Sequence, residues 1–392
     1  MVNPSMHDIF DFNYNIPTRI VFGKGILSKV GEEVKELGKK ALIVITSGGS
    51  MRRYGYLDKL TKSLEEASIK WVVYDKVSTN PTAETAWEAA QLVIKEACDL
   101  VIGLGGGSPI DVAKIAAASA VTHIHPRDYT LGIERVSDAL PIVAIPTTHG
   151  TGTEVNRYAV LTDTRTKAKR GIASPKIYPK IAILDPELTV TLPQRLSAAT
   201  TIDALSHAIE SYVKNTTNKL SMMFSEEAVR NIFTYGPLQM LAPYNLEVRE
   251  KLLWASMCAG IAIDIAGTTL CHGMEHPLSA LFNVHHGEGL AALLLTWAMF
   301  IRQVVKERFA NLALILGNSG NDVDELSFKF IYAISQLVEK MNLKVRLRDF
   351  GIKEEHIDLL VENAWSFNKY NIDNSPKPVN KEDLRELYLK AL

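Results

Sequence analysis

Short apolar runs alternate with helix-length segments through the first half of the chain. The strand-like runs are TRIVF (18–22), ALIVIT (41–46), WVVYD (71–75), the start of DLVIGLGGGSP (99–109) and PIVAIPTT (141–148), with further strands expected at 157–162 and 181–185. Helical patterns follow them, as in NPTAETAWEAAQLVIKEA, where Thr82 is a candidate helix cap. Strands that alternate with helices are typical of βαβ units. The pattern therefore predicts an α/β fold with a mostly parallel sheet.

The pattern changes after Asp185-Pro186. Long apolar-periodic segments take over and strand-like alternation almost disappears; these segments are 197–213, 219–233, 248–265, 289–307 and 323–341. Because DPELTVTLP (185–193) reads as a linker, we expect two domains. Residues 1–188 would form a dinucleotide-binding α/β domain, and residues 189–392 an all-helical domain that carries a metal and the catalytic residues.

Composition narrows the class of protein. Of the 392 residues, 47% are apolar and 22% charged, and the net charge is −1. An ordinary soluble globular protein is expected, with no nucleic-acid or membrane partner. The three cysteines form no CxxC motif, the N-terminus has no signal pattern, and the apolar run at 290–301 is shorter than a membrane span. A reducing compartment, the cytoplasm, is therefore the expected location.

A glycine-rich turn joins a predicted strand to a predicted helix at Gly105, Gly106, Gly107 and Ser108. Glycine lets backbone N–H groups close on a phosphate, and the helix N-terminus adds partial positive charge. The turn predicts phosphate binding, although it is not the GxGxxG fingerprint. A tight βα turn without a ligand is the alternative.

Two further loops follow strands, at the edge where α/β sheets bind ligands. The first carries Gly48, Gly49 and Ser50, with two arginines after them and no acid to bind a ribose hydroxyl, so it suits the 2′-phosphate of NADP. The second carries Thr147 and Thr148, whose hydroxyls are candidate cofactor contacts. Solvated arginines on a glycine loop, and a plain loop, are the respective alternatives.

Four histidines cluster in CHGMEHPLSALFNVHHG (271–287). His272 and His276 are four residues apart and would share one face of a helix. Pro277 is expected to end that helix, so that His285 and His286 return from a loop or the next helix. Imidazole is the commonest metal ligand, but capping or core histidines are the alternative.

A second pair raises the case for a metal. Asp203 and His207 are also four apart on a predicted helix. One carboxylate and three imidazoles leave an open coordination position, which is typical of a catalytic metal. Spacing alone does not separate His272 from His276 as a ligand.

These motifs together resemble the iron-containing (group III) alcohol dehydrogenases of the dehydroquinate-synthase-like superfamily. The resemblance spans nearly the whole chain and rests on PTRIVFGKG, GGGSPIDVAK, PTTHGTGTEV, residues 201–210 and residues 271–287. It implies that the first half binds NAD(P)(H) and the helical half binds one divalent metal in the cleft between them. The implied ligands are Asp203, His207, His272 and His286. His276 is implied to lie beside the substrate, and Asn156 and Lys169 match cofactor contacts in NADP-using butanol-dehydrogenase-like members.

The function expected from the resemblance is hydride transfer between NADP(H), with NAD as the alternative cofactor, and a small primary alcohol or aldehyde. Fe²⁺ is the expected metal, with Zn²⁺ the next choice, and a homodimer is the expected assembly. His276 would move a proton between substrate and solvent; the alternative is that it only orients a neighbour. A dehydroquinate-synthase-like lyase and a non-catalytic dinucleotide sensor are the competing functions.

Overall fold

The computed structural model describes residues 9–392, which form two compact units. We call Ile16–Pro193 together with Tyr244–Leu253 the sheet unit. The helical unit comprises the described residues up to Asn15, Gln194–Pro243 and Trp254–Leu392. The sheet unit thus ends at Pro193, whereas the sequence predicted a boundary after residue 188; Pro186–Thr189 forms a 3₁₀ turn before the first long helix. The apolar pattern gave no sign that 244–253 would belong with the sheet unit.

Strands in the sheet unit come close to the predicted positions. They are β1 (Arg19–Phe22), β2 (Lys40–Thr46), β3 (Lys70–Val77), β4 (Leu100–Gly105), β5 (Ile142–Pro146), β6 (Tyr158–Asp163), β7 (Ala168–Ala173) and β8 (Ile181–Leu184). The main sheet is parallel, in the order β1-β8-β5-β4-β2-β3. The predicted mostly parallel sheet is confirmed.

β7 was missed by the sequence analysis. Lys169, Arg170 and Gly171 interrupt the apolar alternation, so this strand is defined by its pairing rather than by its own pattern. It pairs antiparallel with β6 along its full length, from Ala168 opposite Asp163 to Ala173 opposite Tyr158.

Helices cover both faces of the main sheet. They are α1 (Val30–Val34), α2 (Ser50–Arg53), α3 (Tyr56–Glu66), α4 (Ala83–Lys95), α5 (Gly107–Thr122) and α6 (Pro126–Leu131). Leu42 and Val44 of β2 pack into one apolar core, whereas Ala41, Ile43 and Ile45 pack into the other. Two covered faces explain why the strands read as continuous apolar runs. Thr82 caps α4 as expected, since its Oγ1 accepts a hydrogen bond from the backbone N–H of Thr85.

The loops after β2, β4 and β5 leave the same edge of the sheet, because these three strands are parallel neighbours. They are the three loops that the sequence analysis selected for cofactor binding.

The helical unit contains α7 (Gln194–Val213), α8 (Lys219–Tyr235), α9 (Leu238–Leu241), most of α10 (Leu246–Ala266), α11 (Leu270–Phe282), α12 (His286–Ile315), α13 (Val323–Lys340), α14 (Ile357–Phe367), α15 (Lys369–Asp373) and α16 (Lys381–Ala391). The expectation that a helix ends at Pro277 was wrong, because α11 continues to Phe282 with Pro277 inside it. Every residue of α11 from Leu270 to Ser279 is buried, so packing outweighs the local preference.

Helix α12 corresponds to the longest apolar run of the sequence. Within the described chain it is long and apolar enough to cross a membrane, but 61% of its most apolar window is buried inside the protein. Such burial is typical of the core helix of a globular protein. Its backbone is non-helical at Val305, which marks a kink near the end of the predicted segment.

The close packing of α1 on α3 gives a stability test. A Cβ at Gly31 would overlap the backbone carbonyl of Ser63, so Gly31→Ala forces the two helices apart. Overpacking of this kind costs about 1–3 kcal/mol, and we expect the melting temperature to fall by several degrees. Gly171→Ala is the control, since its Cβ would meet nothing within 4 Å. Equal melting temperatures for the two variants in circular dichroism would contradict the packing described.

Candidate functional site

One end of the candidate metal centre lies on α7. Asp203 and His207 are one turn apart, with His207 Nε2 at 3.5 Å from Asp203 Oδ1. Every residue of α7 from Ser197 to Val213 is buried, so both polar side chains lie within the core of the helical unit. Isolated polar groups at such depth are unfavourable unless a partner compensates them.

Two more imidazoles reach the same carboxylate oxygen from other helices. His272 Nε2, from α11, lies 3.7 Å from Asp203 Oδ1, and His286 Nε2, from the first turn of α12, lies 3.6 Å from it. Asp203 Oδ1 and His272 Nε2 are buried and have no hydrogen-bond partner among residues 9–392. Four ligand atoms arranged tetrahedrally around one ion are roughly 3.3–3.6 Å apart. The four side chains therefore fit one divalent ion.

A glycine permits this convergence. A Cβ on Gly287 would overlap the backbone carbonyl of Ala199 in α7. Because Gly287 has none, the first turn of α12 packs directly on α7 and brings His286 to Asp203. The structure thus places His286, and not the neighbouring helix-capping His285, against the carboxylate.

Two buried glutamates hold the imidazoles from behind. Glu210 accepts a hydrogen bond from His272 Nδ1, and Glu275 accepts one from His286 Nδ1. The other oxygen of Glu210 accepts from the backbone N–H and the hydroxyl of Thr269, at 2.6 and 2.8 Å. Ser279 Oγ donates to Glu275 at 2.5 Å. A carboxylate behind an imidazole fixes the tautomer in which Nε2 has its lone pair for a metal.

The electrostatics of the centre favour positive charge. Burial lowers the pKa of His207 to about 4, so this imidazole is neutral at pH 7. Burial alone would raise the pKa of Asp203, but His207, His286 and His272 hold it well below its usual range. Burial also opposes a charged His272, yet Glu210 and Asp203 raise its pKa to about 10. Without a metal, the buried carboxylates thus stabilise the protonated His272. A site that stabilises a buried positive charge has the electrostatics that a metal ion requires.

His276 lies beside this centre and points its Nδ1 elsewhere. Its ring centroid is 5.8 Å from that of His286 and 6.3 Å from that of His272. Its Nδ1 is 2.7 Å from the side-chain oxygen of Asn368. An amide oxygen only accepts hydrogen bonds, so His276 Nδ1 carries the proton and Nε2 is the basic atom.

In the sheet unit, the glycine turn and the threonine loop lie against each other. Thr147 N–H donates to the carbonyl of Gly105 at 2.8 Å, and a Cβ on Gly106 would lie 3.2 Å from the Thr148 methyl group. Gly105 has φ +147°, a conformation that other residues rarely adopt. The turn, which includes Gly107 and Ser108, opens α5, a helix of 16 residues. This is the arrangement of a phosphate site at a helix N-terminus.

The loop after β2 is open. A Cβ on Gly48 or Gly49 would meet nothing within 4 Å, and Gly49 has φ +69°. Ser50 begins the short helix α2. Arg52 forms an ion pair with Asp75 of β3, 3.0 Å between Nη2 and Oδ2. No acid ends the second strand, as the sequence indicates, but the third strand supplies Asp75 here, which was not predicted.

Asn156 and Lys169 are buried and make contacts within the protein. Asn156 Nδ2 donates to the carbonyl of Gly152 at 2.9 Å, and its Oδ1 accepts from the backbone N–H of Tyr158 at 3.0 Å. Lys169 Nζ donates to Asn80 Oδ1 at 3.0 Å. A cofactor role for either residue stays a prediction.

Known proteins share both the sequence and the fold. Residues 17–186 match the iron-containing alcohol dehydrogenase family, and residues 197–392 match the C-terminal part of the Fe-containing alcohol dehydrogenase family. The NADH-dependent butanol dehydrogenase B of Clostridium acetobutylicum is 34% identical, with 97% of this chain and all of the relative covered. The NADPH-dependent butanol dehydrogenase of Clostridium saccharobutylicum is 32% identical, with 96% of each covered.

A solved structure of a related enzyme has the same fold. That of the NADH-dependent butanol dehydrogenase A of Thermotoga maritima has a TM-score of 0.91 at 33% identity, covering 98% of this chain and 99% of its own. The chain belongs to the iron-containing alcohol dehydrogenase family. It is an NAD(P)-dependent alcohol dehydrogenase, as the resemblance implied, and a lyase or a non-catalytic sensor is not favoured.

In this iron-containing alcohol dehydrogenase, the glutamates behind the candidate ligands were not predicted from the sequence. Glu210 and Glu275 lie three residues after His207 and His272 respectively, and each is fully buried. A buried acid at that spacing was a usable signal. Asn368 gave none, since only the fold brings it to His276.

The glutamate behind His286 gives a test of the metal centre. Glu275→Gln keeps the side-chain shape but removes the charge that makes the His286 imidazole a strong ligand, so metal affinity should fall about 10–100-fold. Competition with a chromophoric chelator measures it. Glu226→Gln, at a glutamate that accepts a hydrogen bond from Tyr212, is the control and should retain the metal. Unchanged affinity in Glu275→Gln would show that the carboxylate does not support the ligand.

Proposed function

We propose that the chain binds one divalent metal through Asp203, His207, His272 and His286 and interconverts small primary alcohols and aldehydes with NADP(H). The observation that carries this proposal is the position of three imidazole Nε2 atoms at 3.5–3.7 Å from one buried carboxylate oxygen. Membership of the iron-containing family supports Fe²⁺, and the same oxygen and nitrogen donors suit Zn²⁺.

Glu210, Glu275 and His276 have different proposed roles around the metal and the nicotinamide cofactor. When bound, the ion supplies a Lewis acid for the substrate oxygen, and the nicotinamide supplies or accepts a hydride. Glu210 and Glu275 keep two ligand imidazoles in the required tautomer. His276 holds a proton on Nδ1 through Asn368 and would exchange a second proton with the substrate oxygen or solvent at Nε2.

NADP is the proposed preference over NAD. The open loop of Gly48, Gly49 and Ser50 leaves room for a 2′-phosphate, and Arg52 stands next to it as a donor. Asp75 weakens this donor, because it already occupies the guanidinium and would face the phosphate. The relatives support both options, one being named NADPH-dependent and another NADH-dependent.

Substrate size, assembly and location are proposed on similar grounds. The butanol dehydrogenases among the relatives support a small primary alcohol or its aldehyde. A cytoplasmic location fits three buried cysteines that form no disulfide among the described residues. A homodimer is proposed from the family resemblance.

The two histidines of one HxxxH should behave differently. His272→Ala should lose the metal, because a ligand is removed. His276→Ala should keep the metal and lose about 10²–10⁴-fold in kcat, because proton transfer is lost. Metal content and rate are measured on the same preparations.

Added imidazole serves as the control in this experiment. It should restore part of the rate to His276→Ala, if that residue moves protons, and none to His272→Ala. A metal-free His276→Ala would make His276 a ligand, and full kcat in a metal-loaded variant would make it a spectator.

The cofactor preference has its own test. One charge-assisted phosphate contact contributes about 1.5–3 kcal/mol, so kcat/KM should favour NADPH over NADH roughly tenfold or more. Gly48→Asp should erase this preference, since a carboxylate then faces the phosphate, and the side chain has room to fit. Asp75→Asn should increase it by releasing Arg52. Equal use of both cofactors by the unmodified enzyme would contradict the proposal.

A further inference from the structure

The proposed metal centre contains more negative charge than one divalent ion neutralises. Asp203, Glu210 and Glu275 are three carboxylates, of which the first is 3% exposed and the other two are fully buried. Neutral imidazoles add no charge, so one divalent ion leaves one negative charge over. An uncompensated buried charge is strongly unfavourable, so a further cation is expected nearby.

Lys214 is placed to supply that cation. It follows the last residue of α7, one turn after Glu210, and its backbone N–H donates to the Glu210 carbonyl at 3.1 Å. The residue is only 2% exposed. Its Nζ lies 3.4 Å from Tyr370 Oη and 5.1 Å from the centroid of the same ring.

The loop that contains Gly267 leaves space for the Lys214 ammonium. A Cβ on Gly267 would lie 2.8 Å from Lys214 Nζ, so glycine leaves the space that the ammonium occupies. Ser211 Oγ donates a hydrogen bond to the carbonyl of Gly267 at 3.2 Å. Thr269, two residues later, donates hydrogen bonds to Glu210. One loop therefore contacts both the ammonium and the carboxylate behind His272.

The charge state of Lys214 is consistent with this role. Burial lowers its pKa to about 8, and the field of Glu210 opposes that change. Lys214 is therefore mainly protonated at pH 7.

We propose that Lys214 balances the charge of the metal centre: its ammonium offsets the third carboxylate and limits how tightly the centre holds a divalent ion. This inference rests on the ligand set proposed above. It predicts that metal affinity rises when Lys214 is neutralised, whereas a purely structural role predicts that metal affinity falls. Removing a supporting side chain loosens a metal site, whereas removing a nearby positive charge makes the site more attractive to a cation.

The test uses the Zn²⁺-loaded full chain and its Lys214→Met variant. Competition with a chromophoric chelator should show Zn²⁺ held on the order of tenfold more tightly by the variant, since one repelling charge is gone. After the metal is stripped, the variant should melt at a lower temperature than the unmodified protein, because the three buried carboxylates then have one counter-charge fewer.

Two controls separate local charge from other effects. Lys214→Arg keeps the charge and should leave Zn²⁺ affinity unchanged. Lys381→Met removes an exposed lysine paired with Glu362 and should also leave it unchanged. If Lys214→Met does not fold, Lys214→Gln gives the same measurement, since its amide can still donate to Tyr370.

Unchanged or weaker Zn²⁺ binding in the neutral variant overturns the inference. His207→Ala is measured in parallel to separate this failure from that of the ligand set. If His207→Ala retains Zn²⁺, the proposed ligands are wrong. If it loses Zn²⁺ while the neutral Lys214 variant binds as before, only the role of Lys214 is wrong.

Discussion

The proposed metal centre depends on one carboxylate oxygen that has no hydrogen-bond partner among the described residues. Asp203 Oδ1 is buried and faces three imidazole nitrogens from α7, α11 and α12. Such an atom is unfavourable unless a cation binds it, and the surrounding features suit the proposed cation site. Gly287 allows two helices to meet, and Glu210 and Glu275 orient two of the rings.

In the sheet unit, the candidate cofactor site is formed by loops at one edge of the main sheet. Parallel neighbouring strands end at one edge, which brings together loops that are distant in the sequence. The Thr147 N–H to Gly105 carbonyl bond joins two of these loops directly. The third loop carries Gly48 and stays open, so its chemistry is set by side chains beside it, Arg52 and Asp75. In the proposed cofactor site, the preference between NADP and NAD would therefore depend on these two opposite charges.

Local patterns predicted most of the fold because buried strands and helices leave a clear apolar periodicity. β7 was not predicted because it is defined by its pairing with β6 and not by an apolar pattern of its own. The helix end predicted at Pro277 was wrong because packing maintains α11 on both sides of the proline. Spacing placed Asp203 and His207 on one face, but it treated His272 and His276 alike. The family resemblance separated them. In the structure the Nδ1 partner of His276 is Asn368, 92 residues away in sequence, whereas His272 and His286 have glutamate partners.

The central claim is that four named side chains hold one metal ion. The most direct measurement is an anomalous difference map from crystals of the metal-loaded protein, recorded at the absorption edge of the bound metal. The account predicts one peak roughly 2.0–2.3 Å from Asp203 Oδ1 and from Nε2 of His207, His272 and His286. A peak bonded to His276 or His285 in place of one of these ligands would contradict it.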